Sequence, residues 1–299
     1  MGIKKNLRRG SRPPAHLLTR SDIRRLIPRR PATSHKGENG HLLIAAGSRG
    51  MTGAAYLCAL GALKAGAGLV TVGAPDAVRR IIAARLPEAM NLPLPETRAG
   101  YLSSDAIPAI MGYVRRRTIT TLAAGPGLSV HPAVRGVIKA LIKTNLPMVL
   151  DADGLNNVKP EDIKGKPVVI TPHPGELARF LSISTMKVQT NRPKIAKETA
   201  KRLGVVCVLK GHRTVVSDGK RVFLNPTGNP AMATGGMGDV LTGIIGAFLA
   251  QGLSLLDAAC AGVYLHGLAG DIARVSDRGL LATEVANSLP KALTKTGLA

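Results

Sequence analysis

Five short apolar runs in this chain each stop at residues that turn the backbone or place charge on it. HLLIAA (41–46) leads into GSRGMTG, TITTLAA (118–124) into Gly125-Pro126-Gly127, and PMVL (147–150) into Asp151-Ala152-Asp153-Gly154. VVIT (168–171) leads into Pro172-His173-Pro174-Gly175-Glu176, and VVCVLK (205–210) into Gly211. Helical patterning fills the intervals at 54–65, 75–84, 132–143 and 191–203, and LVTVG (69–73) reads as a further strand. Strands alternating with helices of this length require parallel pairing through right-handed crossovers. The expected fold class is therefore α/β, a mostly parallel central sheet flanked by helices. In open sheets of this kind ligands bind outside the carboxyl ends of the strands. The residues after these runs are thus expected to share one crevice. Runs at 213–217 and 221–224 predict a hairpin around Asp218-Gly219.

The chain has 299 residues, 45% of them hydrophobic, enough for one large α/β domain. No linker or repeat interrupts residues 20–299, which are expected to form a single domain. Residues 1–19 carry Pro13-Pro14 and several basic side chains but no apolar core, so a solvated, flexible extension is expected rather than a secretory signal. The run 240–256 approaches membrane-span composition, yet its Gly and Ala and the Gln251-Gly252 break predict a buried helix instead. Net charge is +23, which admits an anionic substrate or a nucleic-acid partner. Aromatics are only 2% and Trp is absent, which argues against recognition of single strands by stacking. Cys58, Cys207 and Cys260 are far apart in apolar runs, so buried free thiols in a reducing, cytoplasmic compartment are expected, with no structural zinc.

The glycine-rich stretch 225–243, NPTGNPAMATGGMGDVLTG, leads straight into an apolar run. Glycines before a helix expose its unpaired first amides, and the helix dipole favours an anion there. Asp239 is the one carboxylate in that position. It is either a helix cap or a base that takes a hydroxyl proton beside a held phosphate. Gly125-Pro126-Gly127 lets backbone approach a ligand. Asp151 and Asp153 could hold the water shell of a Mg²⁺ ion or cap the next turn. In TPHPGE, two prolines fix the backbone around His173, and Glu176 falls in the first turn of the following helix. Lys210, ahead of Gly211, is a candidate phosphate contact. The loop 47–55 is neither a P-loop nor a dinucleotide fingerprint.

Taken in order, SHKGENGHLLIAAGS, GMTGAA, GPGL, LDADGLN, TPHPGE, LKGHRT, NPTGNPAMATGGMGDVLTG and YLHGLAGD resemble the ADP-dependent NAD(P)H-hydrate dehydratases of the ribokinase-like superfamily. The resemblance spans about residues 20–293 and implies a three-layer ribokinase-like fold without a separate lid. It implies a repair reaction on the S epimers of NADHX and NADPHX, the hydrated forms of NADH and NADPH. The hydrate hydroxyl is phosphorylated and phosphate is then eliminated, so that ADP (ATP being the alternative) gives AMP and phosphate, with Mg²⁺. A homotetramer is implied, together with an NAD(P)H-hydrate epimerase on another chain.

By the same resemblance Asp239 is the base and contacts the hydrate. Gly235, Gly236 and Gly238 form the anion hole, with Gly238 also near the adenine nucleotide. Lys210, Gly211, His212, Arg213 and Thr214 line the nucleotide side, and Asn225 and Asn229 shape the adjoining loop. Gly53, Ala54, Gly127 and His173 contact the hydrated dinucleotide, while Glu176, Asp151 and Asp153 are candidates for the Mg²⁺ and its waters. Met237 stands where many relatives carry Thr or Ser, and Thr52 where bacterial members often carry Pro. A ribokinase-like kinase of a thiazole or pyrimidine alcohol shares GxGD but lacks TPHPGE and the NPTGN lead-in.

Overall fold

The computed structural model describes residues 15–298. Its ten strands are β1 (His16–Leu17), β2 (His41–Ala45), β3 (Leu69–Pro75), β4 (Met90–Leu94), β5 (Thr121–Ala124), β6 (Met148–Leu150), β7 (Val168–Ile170), β8 (Val206–Leu209), β9 (Val215–Ser217) and β10 (Val222–Leu224). They form one sheet in the order β1-β10-β9-β8-β7-β6-β5-β2-β3-β4. Pairing is parallel from β8 across to β4, and β9 is antiparallel to both β8 and β10. The α/β expectation and the hairpin around Asp218-Gly219 both hold.

After β2 the chain moves outward through β3 to β4, then returns to lay β5 on the other side of β2. This reversal opens a crevice between the loops that follow β2 and β5. Those loops carry Gly47 to Gly53 and Gly125 to Gly127.

Successive side chains of a strand point to opposite faces, and β2 shows the consequence. Leu42 and Ile44 enter the core layer on one face of the sheet, while Leu43 and Ala45 enter the other. The first layer is built largely on the helices Thr52–Lys64, Met237–Ala250, Leu255–Ala273 and Ala282–Thr296. The helix Met237–Ala250 is buried along almost its whole length. Its closest neighbour is Thr52–Lys64. A Cβ on Gly243 would stand 1.9 Å from the Cys58 carbonyl oxygen, and one on Gly61 would stand 2.5 Å from that of Val240. The small residues of this run, which approaches membrane-span composition, thus let these two backbones touch within the chain. Among the described residues no helix is long and apolar enough to cross a membrane. The three cysteines are free and buried.

Two edges differ from expectation. The described fold starts before Arg20. β1 runs parallel to β10, Leu18 is buried, and Thr19 caps the helix Arg20–Leu26 through a reciprocal bond with Asp22. The boundary at residue 19 therefore moves toward the N-terminus by at least four residues, and the rest of the expected extension, residues 1–14, lies outside the described residues. β4 at the opposite edge contains Pro93, which an edge strand tolerates because one side of its ladder is unpaired.

Candidate active site

The stretch around Asp239 opens the helix Met237–Ala250. Gly236 is its N-cap at φ +87°, a conformation that favours glycine, and it makes no side-chain cap bond. A Cβ there would also lie 2.5 Å from Leu57 Cδ1. Gly235 faces open space, and a Cβ on Gly238 would come within 3.4 Å of Lys210 Nζ. The first turn thus presents bare amides next to a half-buried cation. Asp239 is half-buried in that turn. No described residue hydrogen-bonds its carboxylate, so the helix-cap alternative fails. Burial first, and then the charge of Asp151, push its pKa up to about 7, while Lys210 pulls the other way.

Lys210 sits at the end of β8 and reaches inward. Its ammonium donates to Asp151 Oδ1 at 2.7 Å and lies 3.7 Å from Glu176 Oε2. Burial alone would lower its pKa, but Asp151, Glu176 and Asp239 hold it above the ordinary lysine value. Asp151 is 1% exposed, and its second oxygen accepts from Thr242 Oγ1 at 2.8 Å. Thr242 lies one turn beyond Asp239, so Asp151 ties the end of β6 to both β8 and the Asp239 helix. The Cys58 thiol lies beneath this cluster. Burial and the charges of Asp239 and Asp151 push it well up and leave it protonated.

The two aspartates expected to act as a pair part company. Ala152 between them adopts φ +44°, which turns Asp153 away. Asp153 accepts from the Ser129 amide at 2.8 Å and from Asn156 Nδ2 at 3.2 Å. His173 caps the helix Pro174–Leu181. Its Nδ1 accepts from the Gly175 amide at 3.0 Å, while its own amide donates to Glu176 Oε2 at 2.7 Å. The ring is exposed, and Glu176 beneath it is buried against Lys210.

Gly53 and Ala54 lie in the first turn of Thr52–Lys64, whose N-cap Met51 makes no side-chain cap bond. Thr52 is the first helical residue, a position at which Pro also fits. Gly127, at φ +63°, packs against this turn: a Cβ on it would lie 2.9 Å from the Met51 carbonyl oxygen and 3.0 Å from Ala54 Cβ. A Cβ on Gly125 would overlap the Asp151 carbonyl at 1.8 Å. These close approaches connect the β2/β5 crevice to the Asp151–Lys210 cluster.

On the other side of Gly238 lies a cavity of about 600 Å³. Lys210 to Thr214, Asn225 to Pro230, Met237, Gly238 and His266 line it. Asn225 is held by Val263 O and Thr227, and Asn229 donates to Asp271 Oδ1 at 2.9 Å. Met237 is 6% exposed and forms part of this wall rather than a polar contact. Burial pushes His266 down to about 4, so its ring is neutral near pH 7, and its Nε2 has no hydrogen-bond partner. Thr242, His266, Asp271 and Arg192 had no role in the sequence reading. YLHGLAGD was visible as a motif, but which of its side chains turn toward the loop was not.

A family model for NAD(P)H-hydrate dehydratase matches residues 42–291. The chain belongs to the NAD(P)H-hydrate dehydratase family. It is 46% identical over 286 residues to the bifunctional NAD(P)H-hydrate repair enzyme Nnr of Moorella thermoacetica, covering 93% of this chain and 53% of that protein. It is 37% identical to the ADP-dependent (S)-NAD(P)H-hydrate dehydratase of Bacillus subtilis, covering 91% of this chain and 96% of the relative. The chain thus spans about half the length of the bifunctional relatives and nearly all of the Bacillus one. The crystal structure of the ADP/ATP-dependent NAD(P)H-hydrate dehydratase from Bacillus subtilis, co-crystallized with ATP/Mg²⁺, superposes with a TM-score of 0.82 at 33% identity, over 94% of this chain and 99% of that one. The fold is ribokinase-like, as the family resemblance of the sequence implied.

Proposed function

We propose that this protein is an ADP-dependent dehydratase that returns the S epimers of hydrated NADH and NADPH to NADH and NADPH, releasing AMP and phosphate. The observation that carries the reading is Asp239. It is a carboxylate without a hydrogen-bond partner, at a bare helix N-terminus, between a glycine crevice and a cavity of nucleotide size. A base with a pKa near the working pH is well matched to taking a hydroxyl proton. In the proposed reaction the hydrate hydroxyl gives its proton to Asp239, and its oxygen attacks the terminal phosphorus of the nucleotide. AMP leaves. The C–O bond of the phosphorylated hydrate then breaks, the adjoining ring carbon loses a proton, and phosphate departs with the oxygen. The amides of Gly235, Gly236 and Gly238 receive charge on the transferring phosphoryl group.

In this reading Lys210, Gly211, His212, Arg213 and Thr214 hold the nucleotide in the cavity with Asn225 and Asn229. Gly53, Ala54, Gly127 and His173 receive the hydrated dinucleotide. Among the described residues no three His, Cys, Asp or Glu side chains converge as a metal cage. A Mg²⁺ ion carried mainly by nucleotide phosphates and water needs only one or two carboxylates. Glu176 fits as a holder of its water shell, whereas Asp151, 1% exposed with its oxygens taken by Lys210 and Thr242, and Asp153, bound to the Ser129 amide, do not. The ion would neutralise charge on the phosphates. The proposal extends to a homotetramer in the cytoplasm, with an NAD(P)H-hydrate epimerase supplying the S epimer.

The test is an assay with purified NADH hydrate. Loss of the hydrate absorbance is expected only when ADP or ATP is present, with one AMP formed per NADH when ADP is used. A stable phosphorylated alcohol, with NADH hydrate untouched, would mean a small-molecule kinase instead.

A further inference from the structure

The helix Arg192–Leu203 begins beside the end of β8, and its first residue reaches across to that strand's loop. The Arg192 guanidinium donates to three carbonyls there. Nη2 reaches Leu209 O at 3.0 Å and Lys210 O at 3.1 Å, and Nη1 bonds to His212 O. Among the described residues Arg192 makes no ion pair with a carboxylate, so its charge is matched only by carbonyl dipoles. The segment it holds is unusual. Gly211 stands at φ +131°, which glycine adopts freely and other residues rarely do, and Arg213 at φ +52°, a conformation costly for a residue with a Cβ. A Cβ on Gly211 would lie 3.1 Å from Arg192 Nη2, so the glycine is what lets the guanidinium approach.

We propose that Arg192 is a positioning residue for the adenine nucleotide: one planar fork fixes the carbonyls of Leu209, Lys210 and His212 and so presents Gly211 to Thr214 to the cavity. The inference rests on the nucleotide occupying that cavity. Arg192 does not itself line it. A lysine at the same place keeps the charge but offers a point donor that cannot span three carbonyls. The geometry of the fork, not its charge, is therefore what the role requires.

The test compares the whole protein with its Arg192→Lys and Gly211→Ala variants. For each, KM is measured for ADP and for NADH hydrate, along with kcat and the rise in Tm caused by added ADP. In Arg192→Lys, KM for ADP is expected to rise about tenfold, equivalent to about 1.4 kcal/mol. That rise has the size of losing one or two hydrogen bonds, while KM for the hydrate should stay within about twofold and kcat within about threefold. The ADP-induced rise in Tm should shrink in step. Gly211→Ala, whose added Cβ would crowd the guanidinium at 3.1 Å, should also raise KM for ADP and leave KM for the hydrate within about twofold. The inference is overturned if Arg192→Lys responds to ADP as the wild type does, if both KM values rise together, or if only the ligand-free Tm falls. Wild-type protein that shows an ADP-induced rise in Tm but no ADP-dependent repair would fault the proposed activity and leave this inference standing.

Discussion

Lys210 donates to Asp151 across 2.7 Å beneath Gly238, joining the end of β8 to the end of β6 under the first turn of the helix that carries Asp239. Burial of Asp151 makes the pair costly to break by halves. Lys210→Met leaves Asp151 charged, 1% exposed and without its cation. Breaking a buried pair in this way typically costs about 3 kcal/mol or more. Urea unfolding of Lys210→Met should show a loss of that size. A loss below about 1 kcal/mol would place the pair energetically at the surface.

Asp239 links function to pH with a definite sign. Its folded pKa, about 7, lies above the unfolded value of 3.8, so the folded state binds more protons between those pH values. Stability from this group is full below pH 4 and is lost as pH rises through 7. Asp239→Asn, which is never charged, should therefore raise Tm at pH 8 by about 2–4 °C and leave it unchanged near pH 4. The same variant should lower kcat by about 10²-fold or more, with ADP binding retained. In the wild type, kcat/KM should rise with pH through an inflection near 7. A flat profile between pH 5 and 8, with near-normal activity in Asp239→Asn, would make the carboxylate a bystander.

Gly243 tests the scaffold behind Asp239. Its missing Cβ leaves room for the Cys58 carbonyl, 1.9 Å from where the atom would stand. Gly243→Ala must force the helices Met237–Ala250 and Thr52–Lys64 apart. Overpacking of this kind costs about 1–3 kcal/mol. Because the two helices carry Asp239 and Gly53 at their first turns, kcat should fall along with stability. Unchanged Tm and kcat would show that the helix pair yields freely.

Met237 stands where the family resemblance implies a Thr or Ser hydroxyl, and its side chain is spent on the wall of the cavity. Met237→Thr should cost about 1–3 kcal/mol of stability through lost apolar burial. KM for ADP should change by less than about threefold, since the amides of the first turn remain. A tenfold improvement in KM would show that a hydroxyl there binds phosphate after all.

Much of this site was legible because parallel sheets put chemistry at strand ends. The runs ending at Asp151, His173 and Lys210 announced both the strands and the crevice, and the glycines at 235, 236 and 238 announced a bare helix N-terminus. Side-chain direction was not legible. Asp151 and Asp153 look equivalent in DADG, yet a left-handed Ala152 sends one to Lys210 and the other to Ser129. Lys210 reads as a phosphate contact, and its sequence gives no sign that the carboxylates of distant strands also draw it inward. Arg192 carries no motif, since bonds from a guanidinium to carbonyls leave no pattern in residue types. The edge strands β1 and β4 were hidden for a related reason. One is two residues long and the other contains proline, so tertiary pairing rather than local preference forms them.

The central claim is that phosphate leaves with the oxygen of the hydrate hydroxyl. It is tested most directly by isotope. The (S)-NADH hydrate is prepared with ¹⁸O in that hydroxyl and converted with ADP in a single turnover, and the released phosphate is examined by mass spectrometry. The account predicts one ¹⁸O atom in the phosphate for each NADH formed. Unlabelled phosphate, with ¹⁸O recovered in water, would contradict it.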